Sequence, residues 1–299
     1  MPGANLPGVV TLKTLDDAIL LMELLKDASQ AVVVGGGLTA MELAWACRSR
    51  GLPTTMLLRE DRLWPQGLDK PASQLVQETL ERLGVTLRFG VEVREALGEG
   101  RVRAVVTSGG EELPCQIVGM AVGTMPNTDF LAGTDVEVDQ GILVDEHMES
   151  SVPGIYAAGD VAQSYDLVSG TRTVRAGWHI AREMGEYVAA SMAGEDRPYP
   201  GGVAINIQTI FDMNFASVGI LSIPWEDLET LSAEDLEKRT YRKVVLADGR
   251  IVGGMAVRDV GFALALEKAA ASRLDISAVR DKLLQEGFDL GKYIEALVA

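Results

Sequence analysis

"VVVGGGLTAMELA", residues 32–44, decides how this chain is read. A run of valines enters three glycines and leaves through a helix-forming segment, so a strand, a tight turn and a helix are expected in that order. Gly35-Gly36-Gly37-Leu38-Thr39-Ala40 fits the spacing G-x-G-x-x-A. In such a turn Gly35 makes the sharp reversal, Gly37 lets a pyrophosphate approach the backbone, and Ala40, where a third glycine usually stands, keeps helix and strand close. The helix that follows presents unpaired N–H groups and a partial positive charge to phosphate. Glycines also serve tight turns in other α/β folds. What favours a nucleotide site is the context: a strand before, a helix after and a further βαβ step behind.

That context extends both ways. Upstream, "TLDDAILLMELLKDAS" reads as a helix with Thr14 as N-cap and Asp16 and Asp17 in its first turn. Downstream, "PTTMLLRE", "LDKPASQLVQETLERLG" and "VTLRFG" read as strand, helix and strand. This alternation builds a parallel sheet. The pattern then changes. "RVRAVVTSGGEELPCQIVGMAVG" reads as strands around a Gly-Gly hairpin, "GILVDEHMESSVPGIYAAGDV" as two short strands and "RAGWHIAREMGEYVAASMAG" as a long helix. "VAINIQTIFDMNFASVGIL" and "TYRKVVLADGRIVGGMAV", the latter with an Asp-Gly turn, read as antiparallel strands, and helices follow from about Asp259. Residues 1–12 read as an extended lead-in, and the acid-rich "PWEDLETLSAEDLEKR" as a solvated surface segment.

Composition narrows the function classes. The 299 residues suffice for one to three domains, and a net charge of −16 argues against nucleic acid or an anionic membrane as partner. Two cysteines, Cys47 and Cys115, form no disulfide framework and no CxxC pair, and two histidines, His147 and His179, make no metal set, so no metal site is expected. The opening "MPGANLPGVV" has neither the basic region nor the apolar run of a secretory leader. No apolar run approaches the roughly 20 residues of a membrane span, so a cytoplasmic protein is expected.

Cofactor choice is written at the end of the second strand of such a unit, where an acid binds the ribose of NAD and an arginine accommodates the 2′-phosphate of NADP. Here the strand ends "MLLREDR". Leu58 holds the acid's place, and Arg59 and Arg62 follow, which favours NADPH. Glu60 lies between them, and an acid displaced by two positions also serves NADH.

"VVVGGGLTAMELA", "LLREDRLWPQGLD", "VGTMPNT" and "VPGIYAAGDVA" occur in the order found in the FAD-dependent pyridine nucleotide-disulfide oxidoreductases, which the chain resembles over nearly its whole length. The resemblance is nearest to the branch of nitrite reductase, rubredoxin reductase and coenzyme A-disulfide reductase. It implies an α/β fold with a Rossmann-like NAD(P)-binding domain over residues 13–123, a partial FAD-binding domain over 124–197 and a C-terminal α+β interface domain over 198–299, after a linker of residues 1–12. Gly123 would open the segment that returns to the FAD domain. Gly159 and Asp160 would form the second FAD motif, with Asp160 accepting a hydrogen bond from the flavin's ribityl chain. The helix near 178–190 would aim its N-terminus at the flavin, where negative charge grows on reduction. Glu42 would lie near nicotinamide and flavin, although an acid at that point also suits the helix dipole.

The family begins with a further βαβ unit carrying a second G-x-G-x-x-G for the ADP half of FAD, and no such motif occurs here. The resemblance therefore implies a whole NAD(P)H site and an incomplete FAD site. The function expected is the NAD(P)H-binding portion or subunit of a flavoprotein oxidoreductase, in a homo- or hetero-oligomer, with the missing half either on a second subunit or on a longer protein of which this chain is a fragment. The other reading is a flavin-free NAD(P)-binding or assembly subunit. No catalytic residue is assigned.

Overall fold

The computed structural model describes residues 1–225 and 227–298, which fall into two compact units. The first comprises Met1–Thr124 together with Gln208–Met213, and the second Met125–Ile207 together with Asn214 onward.

The first unit is built around "AVVV". In chain order its elements are β1 (Val9–Val10), α1 (Leu15–Leu24), β2 (Ala31–Val34), α2 (Leu38–Ser49), β3 (Thr54–Leu58), α3 (Lys70–Arg82), β4 (Val85–Phe89), β5 (Val93–Leu97), β6 (Ala104–Thr107), β7 (Glu112–Pro114) and β8 (Ile117–Met120). A five-stranded parallel sheet runs β1-β8-β2-β3-β4. All four residues of β2 are buried, as a strand covered on both faces requires. On one face Val32 and Val34 pack with Val105 and Val118 beneath the antiparallel sheet β5-β6-β7. α2 covers the other face and buries Met41, Leu43 and Cys47.

Thr14 caps α1 as read, in a reciprocal box with Asp17. Asp69, not singled out in the sequence, caps α3 by accepting from the Ala72 N–H. Two elements differ from the sequence reading. The lead-in holds β1, which pairs in parallel with β8; a two-residue strand has no period to detect. Ile117–Met120 leaves the hairpin sheet and inserts between β1 and β2, a choice made by distant partners.

The second unit holds β9 (Ile142–Leu143), β10 (Ala162–Tyr165), β11 (Arg172–Val174) and α4 (Trp178–Met192), with a three-stranded sheet β11-β10-β9. Beyond them come β12 (Ile205–Ile210), β13 (Met213–Val218), β14 (Glu229–Asp235), β15 (Thr240–Ala247), β16 (Arg250–Val257), α5 (Val260–Ser272) and α6 (Leu290–Val298). These strands form a sheet ordered β12-β13-β16-β15-β14, packed against α5 and α6 through Val244, Leu246, Leu266 and Ile294. Asp248 and Gly249 both take positive φ in the β15–β16 turn, as the Asp-Gly pair foretold. The acid-rich segment is corrected: it contains β14, paired with β15 along its whole length. β14 is an edge strand, where charges that block further pairing also make the sequence look like a loop. Glu226, within that segment, lies outside the described residues.

Cys47 and Cys115 are both free and buried. Burial pushes the Cys47 thiol up to about 11 and the Cys115 thiol up to about 12, from an ordinary value of 9.0. A thiol reagent should therefore label neither in the folded protein and both after denaturation. Thiols of the unfolded chain lose their protons first, so stability should fall as pH climbs from about 9 toward 11. Stoichiometric labelling of the native protein would contradict this.

Candidate functional site

The glycine turn stands at the carboxyl end of β2. The Gly35 N–H donates to the Leu57 carbonyl (2.9 Å), and its φ is +124°. A Cβ there would lie 2.1 Å from the Ala121 carbonyl oxygen and 3.6 Å from the Ala40 methyl. Strand, turn and helix therefore meet as closely as the spacing implied, and Ala40 is completely buried. Gly36 lies against Leu58, and its carbonyl accepts from the Trp64 N–H (2.9 Å). Gly37 is different: a Cβ there would meet nothing within 4 Å. Gly37 is also the N-cap of α2, with no side chain capping the helix. The first-turn amides beyond it, at Leu38, Thr39 and Ala40, have no intrahelical partner. An open approach in front of uncapped amides is a cradle a pyrophosphate fits.

The neighbouring strand ends complete the crevice. The Ala121 N–H donates to Val34 (2.9 Å), so the end of β8 lies beside the turn. Gly123 follows two residues later, exposed, with φ +135° and open space around its Cα. Leu58, at the end of β3, is fully buried, and the chain emerges at Arg59. The two arginines are each turned to an acid beside them in sequence. Arg59 Nε donates to Glu60 Oε1 (2.7 Å), and Arg62 Nη1 to Asp61 Oδ1 (3.1 Å). Arg62 is the more enclosed of the two, and its Nε is buried with no hydrogen-bond partner among the described residues.

Glu42 stands on α2 one turn past the glycines. Its Oε1 accepts a hydrogen bond from Gln208 Nε2, a residue 166 positions later. Three further contacts join the same segment to the helices of this unit. Trp45 meets Phe211 edge to face (6.2 Å between centroids), Thr79 Oγ1 lies 3.4 Å from Met213 Sδ, and Arg82 pairs with Asp212 (3.3 Å). Nothing in the sequence signalled Gln208, because its partner is remote and its surroundings read as strand.

Gly159 and Asp160 belong to the second unit. Asp160 is exposed, and its Oδ1 accepts from the Gly177 N–H (3.1 Å) at the N-cap of α4. No side chain caps that helix, and its first residue, Trp178, is 74% exposed. Met125 (90%) and Phe130 (70%) of this unit are also open. An acid beside an uncapped 15-residue helix fits part of a flavin site: an acceptor for a sugar-chain hydroxyl and amides for a developing anion.

A parallel sheet with a glycine turn before a helix, and an antiparallel sheet with helices after it, define a dinucleotide-binding α/β protein with a C-terminal α+β region. The pyridine nucleotide-disulphide oxidoreductase family matches residues 1–192, and the rubredoxin NAD+ reductase C-terminal domain matches residues 205–273. The chain belongs to the pyridine nucleotide-disulphide oxidoreductase family. It is 28% identical over 278 residues to a nitrite reductase [NAD(P)H] of Bacillus subtilis, covering 93% of this chain and 34% of that protein. It is 27% identical over 297 residues to the epsilon subunit of an NADH-dependent phenylglyoxylate dehydrogenase of Aromatoleum evansii, covering 98% and 70%. The solved ferredoxin reductase of Rhodopseudomonas palustris superimposes with a TM-score of 0.83 at 26% identity, covering 98% of this chain and 72% of that one. The chain thus spans between a third and about seven tenths of these relatives. Relatives in the family are FAD- and NAD(P)H-dependent oxidoreductases. Among the described residues no helix is long and apolar enough to cross a membrane.

Proposed function

We propose that this chain is the NAD(P)H-binding portion of a cytoplasmic flavoprotein oxidoreductase that passes electrons from NAD(P)H through FAD to an acceptor. The observation that carries this reading is the empty approach to Gly37 in front of the uncapped start of α2. Gly35, Gly36 and Gly37 shape the turn, and the amides of Leu38, Thr39 and Ala40 hold the pyrophosphate. Arg59 and Arg62 face the adenosine end, Gly123 leaves the mouth of the crevice open, and Glu42 lies toward the nicotinamide. Gly159, Asp160 and the start of α4 hold part of the flavin. When bound, the flavin supplies the hydride-accepting chemistry; the chain's residues supply position and field.

The remainder of the flavin site is supplied by another polypeptide segment, on this chain's own subunit or on a second one. The exposed side chains of Met125, Phe130 and Trp178 are apolar groups that such a segment would cover. Native purification followed by a visible spectrum and intact-mass measurement tests the reading. Flavin in stoichiometric amount, bleached by NADH or NADPH, is the expected result. A colourless protein that still binds the dinucleotide would reduce the function to NAD(P)H binding, and one that binds neither would end the reading.

The coenzyme preference has its own test. Arg59 is exposed and already engaged by Glu60, so its hold on a 2′-phosphate is a solvent-screened surface interaction. Arg59→Ala should weaken NADPH binding roughly fivefold and leave NADH binding unchanged. Equal affinities for NADPH before and after the change would remove Arg59 from the site.

A further inference from the structure

We propose that Gln208 is a positioning residue of the dinucleotide site, holding the Glu42 carboxylate from β12, just before the turn into β13. The inference rests on the reading of the glycine turn as a pyridine-dinucleotide site, and adds to it a residue that lies outside the βαβ unit.

Glu42 and Trp45 are three residues apart on α2, on one face of the helix. Residues 208–213 cover that face. Gln208 donates to the Glu42 carboxylate, and Phe211 packs edge-on against Trp45. On α3, Thr79 and Arg82, also three apart, meet Met213 and Asp212. Four contacts on two helices fix the segment at both ends, so the Gln208 amide is held in place rather than left to sample rotamers. This division of labour separates anchoring from positioning. Phe211, Asp212 and Met213 anchor the segment, and Gln208 acts on a half-buried carboxylate one turn from the pyrophosphate cradle. A hydrogen bond donated to a carboxylate is among the stronger kinds and fixes its direction. With its amide removed, Glu42 is free to turn away from the bound nicotinamide end while the pyrophosphate cradle stays intact.

The distinguishing experiment compares NADH with ADP-ribose, which keeps the adenosine and pyrophosphate and lacks the nicotinamide. Both are titrated into the full chain carrying Gln208→Leu and, separately, Gln208→Glu, with thermal melts alongside. The expected result is NADH binding weakened on the order of tenfold in both variants and ADP-ribose binding unchanged. In a double-mutant cycle, Gln208→Leu should cost little once Glu42→Gln is present. Phe211→Ala, which loosens the anchor, should weaken NADH binding less than Gln208→Leu does. Equal weakening of NADH and ADP-ribose would mean that Gln208 only supports the fold, and no weakening of either would remove it from the site. Both outcomes overturn the proposal while leaving the dinucleotide reading intact. Failure of the unaltered protein to bind either ligand would instead overturn that reading, and this inference with it.

Discussion

Gly35→Ala is expected to cost the first unit roughly 3 kcal/mol or more, whereas Gly37→Ala, two residues on, should leave stability within about 0.5 kcal/mol and abolish tight dinucleotide binding. The contrast is geometric. At Gly35 a methyl carbon would sit 2.1 Å from the Ala121 carbonyl oxygen, and φ of +124° is itself unfavourable for alanine. Ala121 has no room to retreat, because its N–H is bonded to Val34 and the strand before it is paired on both sides. Relief would require breaking the ladder between β2 and β8. At Gly37, φ is −86° and the space is open, so alanine fits the backbone. Its methyl group would occupy the approach that a pyrophosphate needs, and NADH affinity should drop by more than about tenfold. Urea unfolding and fluorescence titration of the two variants read the two effects separately. A Gly37→Ala protein that binds NADH as tightly as the unaltered chain would show that the turn is no phosphate cradle.

The second large effect is expected at Arg175, in the second unit. Its guanidinium is 1% exposed and faces an Asp166 side chain that is fully buried, at 3.5 Å. It also donates to the carbonyls of Tyr165 and Gly202, both at 2.7 Å, and to Ser164 Oγ at 2.8 Å. Tyr199 lies beneath it, its phenol pushed up to about 12 mainly by burial, with Arg175 pulling the other way. One side chain thus ties β10 to the loop at residues 199–202. Arg175→Met keeps much of the volume and removes every donor, leaving two carbonyls and a carboxylate buried beside a thioether. The expected loss is about 4 kcal/mol, the range for breaking a buried pair from one side. The urea midpoint should shift accordingly, with the slope unchanged. A shift worth less than about 1 kcal/mol would mean that water takes over the vacated bonds.

What the sequence disclosed follows the range of each interaction. The β2–turn–α2 unit, the cap at Thr14 and the Asp248-Gly249 turn depend on residues within a few positions of one another, and all were legible. β1 and the placement of β8 were not, because a parallel strand is defined by neighbours far along the chain. β14 was masked by its charges, which reflect its place at a sheet edge. At the site, the glycines declared themselves for the same local reason. The orientation of Arg59 and Arg62 toward neighbouring acids, and the attachment of Gln208 to Glu42, depended on side-chain packing that no spacing encodes.

The membership of residues 208–213 in the first unit has a consequence for how the protein is made. Synthesis delivers the rest of that unit by Thr124, then must produce the next stretch of chain before Gln208 emerges. At about 5–20 residues per second this interval lasts roughly 4–17 s, far longer than a helix needs to form. Throughout it Trp45, Thr79 and Arg82 face water or a chaperone, and the Glu42 carboxylate has no amide to hold it. The nucleotide unit is thus finished late, by a segment that arrives after its sheet is already in place, and a nascent chain stalled before that point carries the turn without its last support.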